Sequence, residues 1–242
     1  MERPLRVSPA ESRAAPARRT GVRILPAEFY DRPVLQVARD LLGMILVRVP
    51  GGGPPGPGRP AGRLAGRIVE VEAYDGMSDL ACHASKGRTE RTEPMFGAAG
   101  RAYVYLVYGM HHCLNVVTGP PGHPAAVLLR GLEPLEGGEQ MASGAKRAGN
   151  GAGGPVAPAT IAAGPGRLTR ALGIDLALNR ADLCAPGELF IEAGDPVPDG
   201  MVQRGPRIGV EYAGAWARKP WRLGVRGSKG LSRPFPRRPA TR

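Results

Sequence analysis

In residues 67–74 apolar and polar side chains alternate with a period of two, and the same period returns in residues 125–131. Successive side chains of a strand point to opposite faces, so this alternation commits both segments to a sheet with one buried face. In the first segment Val69, Val71 and Ala73 form the core face, and Ile68, Glu70, Glu72 and Tyr74 fall on the other. In the second, Val127 and Leu129 face the core, and Ala126, Leu128 and Arg130 share the opposite face. Two strands therefore pair an apolar face with one carrying carboxylates, a ring and a guanidinium. The water-facing side of an antiparallel sheet carries such residues without any further purpose, and that reading stands beside a functional one.

The rest of the chain is heavily punctuated. Glycine (36 residues) and proline (26) make up about a quarter of the 242 residues, which leaves room for short elements between loops. Asp31-Arg32-Pro33 opens a helix. Val37, Ala38, Leu41 and Leu42 follow Val34 at the spacings of one helical face, and Gly43 stops it. Residues 44–49 read as a strand, 50–62 as a Pro/Gly loop, and 101–117 as two strands with a turn at Gly109-Met110. Residues 137–163 read as a mobile Gly/Ala-rich excursion, and Gly164-Pro165-Gly166-Arg167-Leu168 opens a short helix ending at Gly173. Shorter strands are expected at 189–192, 207–210 and 222–226. Hairpin-connected strands with few helices make the fold α+β. An ordered domain is expected over 23–230, flanked by a disordered basic leader (1–22) and a disordered basic tail (231–242).

The formal charge of +12 and a tail with nine Lys or Arg and no acid after Tyr212 favour a polyanionic partner. A coding bias toward Arg accounts for the tails equally well. Three cysteines without paired spacing point to a reducing cytoplasm. No apolar run approaches the roughly 18 residues of a membrane span, and the first 22 residues lack the apolar region of a secretory signal.

Tyr103, Tyr105 and Tyr108 place three of the six tyrosines on one hairpin, with Tyr108 at its tip. A ring there suits either a cross-strand aromatic contact or a wedge between stacked bases. GRIVEVEAY (66–74), His83, YVYLVYGM (103–110), Leu114-Asn115, AVLLRGLEPLEG (126–137), GPGRL (164–168) and WARKPWRLGVRGS (216–228), in that order, resemble the alkyladenine (3-methyladenine) DNA glycosylases. The resemblance implies a single compact mixed α/β domain with a mostly antiparallel curved sheet and a protruding, DNA-intercalating hairpin. It implies monofunctional excision of damaged purines from double-stranded DNA, with no cofactor and no metal.

Carried over by position, Glu72 is the general base that activates water, and Arg130 helps to hold that water and the adjoining phosphate. Tyr74, His83 and Tyr105 line the pocket and sandwich the flipped purine, while Asn115 and Leu128 shape it. The Val225 carbonyl orients the water. Tyr108 fills the gap left by the extruded nucleotide. Met110, at a turn where relatives commonly carry aromatic side chains, and the basic Lys219, Arg222 and Arg226 are candidate DNA contacts. A two-residue Gly109-Met110 turn would point Asn115 away from Tyr105. A three-residue turn through His111, or a bulge, would restore Asn115 opposite Tyr105. A monomer with no membrane and no obligatory protein partner is expected, cytoplasmic and associated with the nucleoid in a bacterium. Two other readings stay open: a metal-dependent hydrolase using Cys82, His83, His111, His112 and Cys113, whose spacing matches no zinc site, and a non-catalytic nucleic-acid-binding protein.

Overall fold

The computed structural model describes residues 23–52, 62–147 and 157–236. The expected leader (1–22), most of the Pro/Gly loop (53–61), the centre of the Gly/Ala-rich stretch (148–156) and the last six residues lie outside the described residues.

One eight-stranded antiparallel sheet dominates. Its strands are β1 (Ile45–Arg48), β2 (Leu64–Asp75), β3 (Ala102–Val107), β4 (His111–Thr118), β5 (Ala125–Glu136), β6 (Leu189–Glu192), β7 (Val202–Gly205) and β8 (Arg222–Val225). The order along the sheet is β3-β4-β5-β2-β1-β6, with β7 and β8 branching from β2. Strand β2 is the organising element. One edge pairs with β5 along its length, while the other pairs first with β1 and then, at Glu70–Glu72, with β8. Strand β3 is an edge strand. The segment 179–181 ties its first half through the Asn179 side chain and the Arg180 and Ala181 backbone.

The helices lie on one face of this sheet. Helix α1 (Ala27–Tyr30) leads into α2 (Val34–Leu41), which buries Val34, Val37, Ala38 and Leu41 as the apolar spacing requires. Gly43, at φ 92°, closes α2 in a left-handed conformation that the glycine spares from Cβ strain. Leu168, Ala171 and Leu172 of α4 (Pro165–Leu172) join the same core, beside Val104, Leu114, Val116, Val127 and Leu129 from the strands. No helix among the described residues is long and apolar enough to cross a membrane. Cys82, Cys113 and Cys184 are free thiols.

Several expectations need correction. The strand period breaks in β2, where the register with β5 shifts between Ile68 and Glu70. An extra residue in one strand inverts the facing of those before it. Ile68, expected beside the carboxylates, therefore packs in the core with Val71 and Ala73, whereas Val69 is buried near Gly230. The 137–163 excursion contains a helix, α3 (Gly138–Arg147), whose Met141 is fully buried in the core. Gly144 lets α3 approach the backbone of α4 closely: a Cβ there would lie 3.0 Å from the Arg170 carbonyl oxygen. The strand expected at 207–210 lies instead at Val202–Gly205. Pro206 has no N–H to give a ladder, and the Ile208 amide is spent on a side chain. Of the expected disordered tail, residues 231–236 are ordered against the sheet.

A Cβ on Gly131 of β5 would lie 2.2 Å from the Gly230 carbonyl oxygen. Backbone cannot yield there as a side chain would. Gly131→Ala should therefore lower stability by about 1–3 kcal/mol, seen as a fall in the urea midpoint at unchanged slope; an unchanged midpoint would refute this packing.

Candidate active site

The face opposite the helices is not wet. Glu70 and Glu72 are both fully buried, so the solvated-face reading fails. Register explains what surrounds them. Tyr103 lies opposite Asn115, Asn115 opposite Leu128, Leu128 opposite Glu72, and Glu72 opposite Arg222, a single row across five strands. Tyr105 and Tyr74 stand one pleat from this row on the same face. A cavity of about 470 Å³, in the range of small-molecule sites, opens over them. Tyr74, His83, Tyr105, Asn115, Leu128 and Arg130 all line it. So does Tyr108 at its mouth.

The carboxylate of Glu72 sits immediately behind the cavity wall and accepts three hydrogen bonds. Oε1 takes the Ile208 amide at 2.8 Å; Oε2 takes the Tyr74 hydroxyl at 2.8 Å and Arg130 Nη1 at 3.1 Å. All three donor residues line the cavity. Burial pushes the Glu72 carboxyl above its usual range, while Arg130, the Ile208 amide and the Tyr74 hydroxyl pull the other way. Arg130 reaches Glu70 with Nε at 3.3 Å and Ser232 Oγ with Nη2 at 3.2 Å. Glu70 also takes Arg222 Nη1 at 3.0 Å and both the hydroxyl and the amide of Ser232. Two buried carboxylates are thus matched by two guanidiniums, the condition for keeping such charges out of water.

Aromatic rings form the opposite wall. His83 begins a 3₁₀ turn (His83–Lys86) and meets Tyr105 edge-on, with ring centroids 4.5 Å apart. Its Nδ1 lies 3.0 Å from the Tyr103 hydroxyl. Burial, reinforced by Arg91 and Lys86, lowers the imidazole to about 4, so the ring is neutral at pH 7. The Asn115 side chain is anchored by donating to the Tyr103 carbonyl at 3.1 Å.

The hairpin turn has three residues, but they are Tyr108, Gly109 and Met110, with Val107 opposite His111. Asn115 therefore lies opposite Tyr103, not opposite Tyr105 as expected; Cys113 takes that place. The offset of two residues leaves Asn115 on the cavity face all the same. Tyr108 has φ 49° and Gly109 φ 69°, so a tyrosine occupies the left-handed region at roughly 1–2 kcal/mol. Tyr108 is 89% exposed, and Met110 is 70% exposed.

Two expected site residues lie elsewhere. The Val225 carbonyl accepts from the Ser228 amide, and its side chain packs on the main core; the backbone group at the carboxylate belongs to Ile208. Arg222 is 3% exposed, bonded to Glu70 and to the carbonyls of Pro206, Arg233 and Pro234, and stacked 3.8 Å from the Phe235 ring centroid. It has no face left for a phosphate. Lys219 leans over Trp216 and Trp221 at 3.4 and 4.4 Å, and Arg226 is exposed. Outside the expected pocket residues, Tyr103, Arg91, Cys113, Ile208 and Tyr212 also line the cavity. Tyr103 could have been found from its period with Tyr105, whereas Ile208 and Tyr212 lie where no period exists. Among the described residues, no three His, Cys, Asp or Glu side chains converge as a metal ion would need.

Residues 28–229 match the family model described as "Methylpurine-DNA glycosylase (MPG)". A protein of Myxococcus xanthus named "Putative 3-methyladenine DNA glycosylase" is 52% identical over 219 residues, covering 89% of this chain and 98% of its own. A protein of the same name from Methanocella arvoryzae is 51% identical over 213 residues, covering 88% and 98%. Another from Streptomyces avermitilis is 45% identical over 203 residues, covering 83% and 87%.

The neutral state of His83 has a consequence for stability. An unfolded histidine takes its proton near 6.5, the folded one near 4. Between those values the unfolded chain binds more protons, so this group's contribution to stability falls as pH drops from 6.5 to about 4 and is constant above. Imidazole resonances followed by NMR should titrate with a midpoint near 4; a midpoint near 6.5 would show that His83 is not desolvated.

Proposed function

This chain belongs to the methylpurine-DNA glycosylase family, and on that footing we propose that it initiates base-excision repair. It rotates an alkylated or deaminated purine out of duplex DNA and hydrolyses the N-glycosidic bond, leaving an abasic site. The observation that carries this reading is the buried Glu72 carboxylate, held by three donors directly behind an aromatic-walled cavity.

Breaking the bond between C1′ and the purine nitrogen leaves positive charge on the sugar, and the electron pair departs with the base. Glu72 stabilises that charge and takes a proton from the water whose oxygen bonds to C1′. General base assistance of this kind contributes roughly 10²–10⁴-fold. Arg130 fixes the carboxylate and supplies positive charge for the flanking phosphate. A methylated purine that carries positive charge leaves as a neutral base and stacks well on electron-rich tyrosine rings; a deaminated purine, neutral when bound, leaves with the electron pair and takes a proton from solvent. Neutral His83 adds no repulsion to such a base. Asn115 and Leu128 form the part of the wall suited to excluding normal bases.

A base within the stack cannot reach Glu72, so extrusion at a cost of a few kcal/mol precedes chemistry. Tyr108 fills the gap in this reading, which its exposure on a strained turn supports, with Met110 beside it. The cavity-lining residues among those described include no lysine, which supports hydrolysis without a Schiff base or strand cleavage. Lys219 and Arg226 remain the candidate phosphate contacts of a monomer that scans DNA by its positive charge and associates with the nucleoid. A purely DNA-binding role would leave the buried Glu72 arrangement unexplained.

The test is single-turnover excision of hypoxanthine from a duplex, in chelator, with hot alkali to reveal abasic sites. Wild type should release the base with the strand intact until alkali, and Glu72→Gln should lose roughly 10²–10⁴-fold while still binding the duplex. Excision undiminished in Glu72→Gln would remove the carboxylate from the mechanism, and absence of excision by wild type on this and on methylated DNA would favour binding alone.

A further inference from the structure

Packed against the Tyr74 ring lies a second buried ion pair. The side chains of Asp79 and Arg207 have no exposed surface and meet in a two-pronged contact, with Arg207 Nη2 donating to Asp79 Oδ1 at 2.8 Å and Nη1 donating to Oδ2. Arg207 also donates to the carbonyls of Ala73 at 2.8 Å and Trp216 at 3.2 Å. Its guanidinium plane is held between the Tyr74 ring, 4.7 Å away, and the Trp221 ring, 5.0 Å away.

From this we infer that Arg207, fixed by Asp79, is a positioning residue for Glu72. The inference rests on the reading of Glu72 as the base. Of the three hydrogen bonds that Glu72 accepts, two come from groups that Arg207 holds. One is the hydroxyl of Tyr74, whose ring Arg207 covers. The other is the amide of Ile208, the next residue in the chain. Residues 206–210 form no ladder, so the loop has no sheet hydrogen bonds to fix that amide; the anchor of Arg207 on β2 and Asp79 does so instead. Asp79 extends the frame by accepting the amides of Asp75 and Ala81, in the turn that leads to His83. A buried pair of this kind gives little net stability compared with apolar side chains of similar volume, which makes geometry the stronger account of it.

The charged and titratable groups around Glu72 decide the sign of the effect. Arg130 from β5 and Arg207 from the loop favour the ionised form. Glu70, on its own strand and neutralised in part by Arg222 of β8, disfavours it, as does burial. Tyr74, Tyr105 and Cys113 also face it and are held protonated by burial. Donors to a carboxylate lower its pKa, so loosening the Tyr74 and Ile208 donors raises it.

The experiment is the pH dependence of single-turnover hypoxanthine excision in wild type, Arg207→Lys, Asp79→Asn and Tyr74→Phe, with Glu72→Gln as control. Lysine keeps the charge but loses the planar, two-pronged contact; asparagine keeps the shape of the acceptor and carries the test should the lysine variant fail to fold. The acidic limb should move to higher pH, on the order of one unit, in Arg207→Lys, and by less in Asp79→Asn, where loss of a nearby negative charge opposes the loosened donors. Combined with Tyr74→Phe, the shift should be less than additive, because part of it passes through Tyr74. A purely structural role would lower the melting temperature and the active fraction while leaving the limb in place, and that result overturns the inference. Should Glu72→Gln excise as wild type does, the reading of Glu72 fails first; with Glu72→Gln inactive and the limbs coincident, only the role of Arg207 falls.

Discussion

Two carboxylates on one strand, both without access to water, are the constraint around which this molecule is arranged. Leaving either charge unmatched would cost far more than a domain of this size can spare. Strand β5 contributes Arg130 and β8 contributes Arg222, from opposite sides of β2. The C-terminal segment supplies Ser232, and the loop after β7 supplies the Ile208 amide. Pieces of chain far apart in sequence are thus tied to β2 by the need to satisfy Glu70 and Glu72. The cavity forms where this cluster meets the ring-bearing hairpin.

The same arrangement explains what the sequence conveyed and what it hid. Helix α2 and strands β2 and β5 announce themselves because a regular period separates an apolar face from one with polar groups, whereas the row from Tyr103 to Glu72 depends on a turn register that the sequence leaves open. The resemblance placed Glu72, Arg130, Tyr74, His83, Tyr105, Asn115 and Leu128 together, and they do share one cavity or its wall. Failures cluster where period carries no information. An irregularity at Ile68–Glu70 is invisible in a pattern that continues across it. Gly144 resembles loop composition, yet here small size permits two helices to approach. Arg222 and Ser232 look like a solvated basic tail until the buried acid they serve is seen. Val225 and Ile208 were confused because a backbone donor or acceptor leaves no trace in residue type.

Charge illustrates the same limit. A net +12 indicates a polyanionic partner, but individual arginines divide into different classes. Arg130, Arg207 and Arg222 are interior groups bound to carboxylates, and Arg226 is exposed at the surface. The excess available to an external anion is carried by the second class only.

The position of β3 at the sheet edge gives the cavity two walls of unequal stiffness. Glu72 and Arg130 stand on strands paired along both sides, near the centre of the hydrogen-bonded network. Tyr105 and Tyr108 stand beyond the 179–181 tether, on a ribbon whose outer edge has no strand partner among the described residues. Local opening is easiest where backbone bonds are fewest and most exposed. The hairpin wall is therefore the side of the cavity with the fewest backbone bonds to hold it, while the carboxylate is fixed in register by the sheet.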